Sequence, residues 1–392
     1  MNFEVKGLFR MKLEGVRVID LSLFLPGPYL TQMMADHGAE VIKVEPPAGE
    51  PVRNVGYCTE DNVSVWFRNT HRNKKSLVLN LKDPNDKADF LALVKNADVL
   101  VEAFRPGVVN RLGIGPDSLR SLNPRLIYAS ISAFGQTGPE HKRPAHDLAI
   151  QAMAGTLSLN LGSNGQPANP GLPAADVTGS MVALAGILMA LFRREKTGLG
   201  DYLDISMMDS LMSWLPNVTG PVFAENRAPV VQNERSFGGY AFFKTYKTAD
   251  EKYVALGGVE KKFVVNFLSA LGRTDLIESA CGPPGAHQEP VKSYLCEIFK
   301  TKTREGWEDF FAANDVCAAP VLDIFEAFHS EQSRIREMLL KDSDGNLHIG
   351  TPIKFSQEPG NLVLKLPSLG EHTEEIKLGI ANDNKRTLNT HE

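Results

Sequence analysis

The chain has 392 residues, 43% hydrophobic and 23% charged, proportions that exclude a disordered or fibrous protein and leave room for about two ordinary domains. Its 42 basic residues face 47 acidic ones, a formal net charge of −5, so no global basic field draws nucleic acid or anionic lipid, and any anionic ligand needs local cations. The four cysteines, Cys58, Cys281, Cys296 and Cys317, form no CxxC pair, which argues against a metal site or a disulfide framework and for reduced thiols in a cytoplasmic protein.

Residues 1–8 are mixed polar and lack the apolar core of a secretory signal, and Met11 opens MKLEGVRVIDLS, so what precedes it reads as an extension or a mis-assigned start. Val16–Leu21 reads as a strand before the breakers Pro26-Gly27-Pro28. Tyr29–His37 has helical spacing with Gly38 at C′, and Glu40–Glu45 reads as a second strand. Ser76–Leu81 is a strand, Asp83-Pro84 the N-cap and first residue of a helix to about Lys95, and Val99–Glu102 and Leu126–Ile131 are further strands. Strands alternating with helices mean parallel βαβ units, hence an α/β, Rossmann-like parallel sheet. No GxGxxG follows the first strand, which disfavours a dinucleotide dehydrogenase.

Leu172-Pro173-Ala174-Ala175-Asp176 then leads into a long apolar segment ending Arg193-Arg194-Glu195-Lys196. Its apolar run, Val177–Phe192, is shorter than the ~20 residues of a bilayer span, so it reads as a buried core helix and no membrane is expected. Asp176 sits where an N-cap is expected, facing the positive end of the helix dipole. An ordinary capping aspartate explains that pattern by itself.

Residues 213–239 carry Pro216, Pro221 and Pro229 and read as a linker. From Phe242 the pattern changes to a hairpin followed by helices near 261–271, 291–300 and 304–314. The expected layout is a large domain over 1–212 completed by 350–392, a smaller α+β domain over 240–325, and a return linker over 326–349.

Several motifs carry a resemblance: Asp20-Leu21-Ser22, Gly27-Pro28, the stretch Ala35–Glu45, Asn73-Lys74-Lys75-Ser76, Phe104-Arg105-Pro106-Gly107, Ser132–Pro139 with Arg143–Asp147, and Leu369-Gly370-Glu371-His372-Thr373. In this order, over nearly the whole chain, they resemble the CaiB/BaiF, or class III CoA-transferase, superfamily. The resemblance implies an acyl-CoA enzyme, an interlocked homodimer, and coenzyme A as part of the substrate with no permanently bound cofactor. It places the central carboxylate on Asp176. In the transferases this residue attacks a thioester; in the α-methylacyl-CoA racemases it is one of two bases. The second racemase base falls on His146, thirty residues earlier, and a supporting glutamate on Glu260 in Gly257-Gly258-Val259-Glu260. Taken singly, His146 reads equally well as a core histidine and Glu260 as a solvated helix-start acid. Leu148-Ala149-Ile150-Gln151 departs from the racemase Asn-Tyr pattern and leans toward the transferases.

Removing a proton α to a thioester needs a base on each face of the carbon and donors for the enolate oxygen, and the helix N-terminus at Val177 is the expected source of those donors. Arg72, Asn73, Lys74, Lys75, Arg105 and Arg111 fall where the family holds CoA; without the resemblance, Arg72–Lys75 reads as a solvated charge run. The leading expectation is epimerisation of the α-carbon of 2-methylacyl-CoA thioesters, with CoA transfer between carboxylic acids next and a non-catalytic acyl-CoA-binding protein as the reading from another class.

Overall fold

The computed structural model describes residues 11–162 and 164–389; the expectation about the segment before Met11 lies outside them. The chain divides into two compact units. The first takes residues up to Ala154, Pro170–Trp214, and everything from Glu331 onward; the second takes Gly155–Asn169 and Leu215–Ser330.

In the first unit the chain alternates as the hydrophobic pattern requires: β1 (Arg17–Asp20), α1 (Pro26–Asp36), β2 (Glu40–Glu45), α2 (Val65–His71), β3 (Lys75–Val78), α3 (Pro84–Lys95), β4 (Val99–Glu102), α4 (Val108–Leu112), α5 (Pro116–Leu122), β5 (Ile127–Ser132), α6 (Asp147–Met153), α7 (Ala174–Thr197), β6 (Tyr202–Ser206) and α8 (Met207–Met212). Pro26 and Pro28 lie inside the first turn of α1, where a missing N–H costs nothing, instead of preceding the helix. Asp83 caps α3 by accepting from the amides of Asn85 and Asp86. The six strands form one parallel sheet in the order β3-β2-β1-β4-β5-β6. The order reverses between β1 and β4, so the crevice at the carboxyl ends of those two strands is where such a sheet takes ligands.

Both faces of the sheet are covered. On one, Leu30, Met34, Ala183 and Ile187 pack over Val18, Val101 and Ala129; on the other, Phe90, Leu93, Leu119 and Ile376 pack over Ile19, Leu100 and Tyr128. Full burial of each large aliphatic side chain contributes about 1.5–3 kcal/mol. Two glycines permit close packing around this face: a Cβ on Gly27 of α1 would lie 2.0 Å from Ser22 Oγ in the segment after β1, and one on Gly179 of α7 would lie 2.7 Å from Met207 Cγ of α8.

Helix α7, 24 residues, is long and apolar enough to cross a bilayer. Ala175, Thr178, Ala183, Ile187 and Leu191 bury one face of it in the core. It is not buried all round, however: Leu188, Met189 and Phe192 are exposed on another face.

The second unit comprises α9 (Gly220–Glu225), β7 (Phe243–Lys247), β8 (Tyr253–Gly257), α10 (Lys261–Ala270), α11 (Ile277–Ala280), α12 (Glu289–Phe299), α13 (Arg304–Asn314), β9 (Ala318–Pro320) and α14 (Ile324–His329). Its antiparallel sheet β7-β8-β9 packs on an aromatic core of Phe242, Phe267, Phe299, Trp307 and Phe311. The expected linker over 213–239 is corrected: from Leu215 it belongs to this unit and contains α9.

The return linker over 326–349 is corrected likewise. It holds α15 (Glu331–Ile335) and an antiparallel hairpin of β10 (Leu339–Lys341) and β11 (Leu347–Ile349), part of the first unit. Ile349 O accepts from the Arg72 guanidinium (2.7 Å) and its N–H donates to Asn69 Oδ1 (2.8 Å), which fastens it there. The chain ends on α16 (Thr373–Asn389), whose Lys377 pairs with Asp86 of α3 at 2.8 Å.

Candidate active site

The cap of α7 is not Asp176. Pro173 occupies the N-cap position, and Asp176 is the third residue of the helix. The capping carboxylate comes from Asp147, the first residue of α6: its Oδ1 accepts from the amides of Ala175 (2.8 Å) and Asp176 (3.2 Å), and its Oδ2 from the Gln151 side chain (2.6 Å). Gln151 also donates to Leu172 O at 3.1 Å. Asp147 therefore does the work a local cap would do, from 29 residues away, and leaves the Asp176 side chain free.

Among the described residues, no hydrogen-bond donor is recorded for the Asp176 carboxylate. Burial without such a partner, reinforced by the negative charge of Asp147, pushes its pKa up to about 7. A carboxyl poised there exchanges a proton readily at neutral pH.

The same capping corrects the expected source of enolate donors. Ala174 N–H donates to Leu172 O and Val177 N–H to Pro173 O, while Ala175 and Asp176 serve Asp147. The first four amides of α7 are thus all engaged within the protein, and none is left for a substrate oxygen.

His146 immediately precedes Asp147 and is the N-cap residue of α6, in extended conformation and exposed. Its imidazole stands edge-on to the Phe24 ring, centroids 6.0 Å apart at 84°. Asp147 thus ties His146 to Asp176 through one residue and one hydrogen bond. Glu260 is the N-cap residue of α10 in the second unit, exposed, with no side-chain capping bond; its neighbour Gly258 packs against Cys317 and Phe263 too closely for a Cβ.

The six expected CoA-binding residues separate into two sets. Arg105, just after β4, and Arg111, in α4, are exposed, and among the described residues neither guanidinium has a recorded hydrogen-bond or ion-pair partner. Arg105 follows the carboxyl end of β4, at the crevice that the strand order marks.

Arg72 and Lys74 correct the expectation of an exposed cationic run. Arg72 is 2% exposed and forks onto Asp36 at 3.1 and 2.7 Å. Lys74 is 4% exposed and donates to Asp20 (3.0 Å), Pro28 O (2.9 Å) and Thr31 (2.8 Å); burial lowers its pKa to about 8 against the pull of Asp20. Asn73 takes a left-handed turn (φ +63) and donates to Ala35 O at 2.9 Å. Lys75 opens β3 and reaches Glu40, the first residue of β2, and Glu375, each at 3.0 Å, so it is turned to the amino-end edge of the sheet.

Four residues that matter here escaped the sequence reading: Asp147 as a cap, Phe24, Glu50 and Glu102. Glu102 ends β4 and accepts from the amide of Phe104 at 2.8 Å, bracing the segment that carries Arg105. Burial, with Asp204 nearby, raises its pKa to about 7. Among the described residues no group of three His, Cys, Asp or Glu side chains is placed to hold a metal ion.

Residues 13–373 match CoA-transferase family III. Acetyl-CoA:oxalate CoA-transferase of Acetobacter aceti is 36% identical over 350 residues, covering 88% of this chain and 89% of that protein. Alpha-methylacyl-CoA racemase of Homo sapiens is 33% identical over 400 residues, covering 97% of each. A CAIB/BAIF family protein from Brucella suis, solved as a crystal structure, has a TM-score of 0.83 at 28% identity over 95% of this chain and 100% of that one. The chain belongs to CoA-transferase family III, the CaiB/BaiF enzymes, among whose named relatives are both CoA-transferases and acyl-CoA racemases.

Proposed function

We propose that this enzyme epimerises the α-carbon of 2-methylacyl-CoA thioesters, with Asp176 and His146 as the two proton-transfer groups. The observation that carries the reading is the Asp176 carboxyl, relieved of capping by Asp147 and titrating at about 7, with an imidazole one residue from that cap. In one direction Asp176 takes the α-proton, the C–H electron pair moves into the thioester as an enolate, and His146 returns a proton to the opposite face. In the other direction the roles exchange. Enolate donors come from groups other than the α7 amides. Arg105 and Arg111 hold CoA phosphates in this scheme, because they are cations on the ligand-facing end of β4 with no protein partner recorded. The reading includes a homodimer, supported by the apolar stripe Leu188, Met189 and Phe192 that a single copy leaves in water. It also includes a cytoplasmic setting, which suits four free thiols.

A second reading is CoA transfer, in which Asp176 attacks the thioester carbonyl, expels CoA thiolate to form an anhydride, and is then attacked by that thiolate to give aspartyl-CoA and free acid. It is favoured by Leu148–Gln151, which departs from the racemase pattern and commits Gln151 to Asp147. Incubation with 2-methylacyl-CoA in D₂O separates the two. Epimerisation places deuterium at the α-carbon with no added acid, and His146→Ala stops it. Acid-dependent CoA exchange through a hydroxylamine-sensitive acyl-enzyme, with no deuterium incorporated, reverses the assignment.

A further inference from the structure

Phe24 has φ +62, a left-handed conformation that a bulky side chain adopts only under constraint. The constraint is visible. Its amide donates to Glu50 Oε1 at 2.9 Å. Glu50 is 1% exposed; its own amide donates to Glu45 Oε2 (2.9 Å), and its Oε2 faces the Lys43 ammonium at 3.2 Å.

Lys43 is as deeply buried. It lies 3.5 Å from Asp20 Oδ1 and donates to Ser22 O, and Lys74 approaches Asp20 from the other side at 3.0 Å. Burial alone would raise the Asp20 carboxyl, but the two ammonium groups hold it well below the usual carboxylate range. Asp20 in turn accepts from the Ser22 amide at 2.9 Å. The segment from Ser22 to Phe24 is therefore fixed at both ends by one buried ionic cluster. Burying several charges is a poor way to gain stability, since desolvation offsets most of their attraction. What the cluster does provide is a single conformation for that segment.

The segment ends on the Phe24 ring, and among the described residues that ring is the one aromatic ring against the His146 imidazole, which makes no side-chain hydrogen bond there. Trp66 backs Phe24 from another side, centroids 6.4 Å apart. An exposed histidine with no hydrogen bond rotates freely about its side-chain torsions unless something packs against it.

We infer that Phe24 is a positioning residue for His146, and that Glu50 acts through Phe24 by holding its strained backbone from the buried cluster. The inference rests on His146 being a proton-transfer group. Misplacing such a group by a fraction of an ångström slows the chemical step without weakening substrate binding, so the effect belongs in kcat and not in KM.

The test combines α-proton exchange kinetics in D₂O with the His146 ring resonances of the full-length enzyme labelled with ¹³C-histidine and assigned by His146→Gln. Phe24→Leu removes the aromatic edge, Phe24→Tyr keeps it, and Glu50→Gln keeps an acceptor for the Phe24 amide while removing the charge. Phe24→Leu is expected to shift the His146 resonances, broaden them, and lower kcat roughly tenfold with KM within about twofold. Phe24→Tyr restores both readouts, and Glu50→Gln falls between. Unchanged His146 resonances in Phe24→Leu overturn the inference. So do shifted resonances with kcat within twofold of the parent. If His146→Gln also keeps full turnover, the fault lies in assigning His146 as a base; if it does not, the fault lies with Phe24.

Discussion

Replacing Asp147 tests the capping of α7 and the electrostatics of Asp176 together. Asp147→Ala leaves the amides of Ala175 and Asp176 without their acceptor, and Ala175 is fully buried, so water cannot replace it. A lost N-cap costs about 0.5–2 kcal/mol, and a hydrogen bond to a charged group about 1.5–3. For two such amides at one helix end the expected loss is roughly 2–4 kcal/mol. Urea titration at constant pH measures it as a lower midpoint with unchanged slope.

Asp147→Asn separates geometry from charge. Its side-chain oxygen still accepts from both amides, so stability falls by only about 1 kcal/mol, while the negative charge that helps raise Asp176 is gone. Burial still holds Asp176 above the ordinary carboxylate range, but its pKa drops below the parent's value of about 7. The limb of the pH–rate profile near neutrality therefore moves to lower pH. A limb that stays in place, or moves up, refutes the assignment of Asp147 as a charge acting on Asp176. An Asp147→Ala variant as stable as the parent refutes the cap.

Asp176→Asn is expected to abolish turnover and to stabilise the fold at pH 8. The folded pKa lies above the unfolded one, so the folded state holds its proton more tightly, and stability falls as pH rises from about 4 to about 7. Removing the ionisation recovers at most about 4 kcal/mol, and less in practice because the group is partly solvated. Parallel thermal melts at pH 3 and pH 8 check this, with the gain confined to the higher pH. Arg105→Ala is expected to weaken CoA-thioester binding by roughly 1–3 kcal/mol, more at low salt than at high, and to leave stability unchanged. Arg72→Ala does the reverse: it strands the buried Asp36 and costs roughly 3–5 kcal/mol of stability. Calorimetric titration with an acyl-CoA, beside denaturation curves, separates the two arginines.

The sequence by itself determined the alternation of strands and helices in the first unit, because hydrophobic periodicity and breakers such as Asp83-Pro84 are local signals. The strands at 40–45 and 99–102 and the helix at 304–314 are where that reading puts them. It also supplied the run of motifs by which the chain resembles its family, and named Asp176 and His146 as candidates through that resemblance. It missed β6 and β9, which are short and half-exposed, so neither alternation nor apolar length marks them.

Other features were decided by tertiary structure alone. A carboxylate in the first turn looks like a cap from sequence, yet Asp147 reaches that turn from 29 residues away and leaves Asp176 free. Arg72, Lys74 and Lys75 form one charged run in the chain, but the fold turns two of them inward onto Asp36 and Asp20 and the third to the edge of the sheet. Phe24 and His146 are 122 positions apart and meet only because the strand β1 and the helix α6 belong to the same sheet-centred unit. Propensity and periodicity report what each segment tends to become. Which polar group satisfies which, and therefore which carboxylate is left with a perturbed pKa, depends on contacts between segments that the chain brings together only when folded.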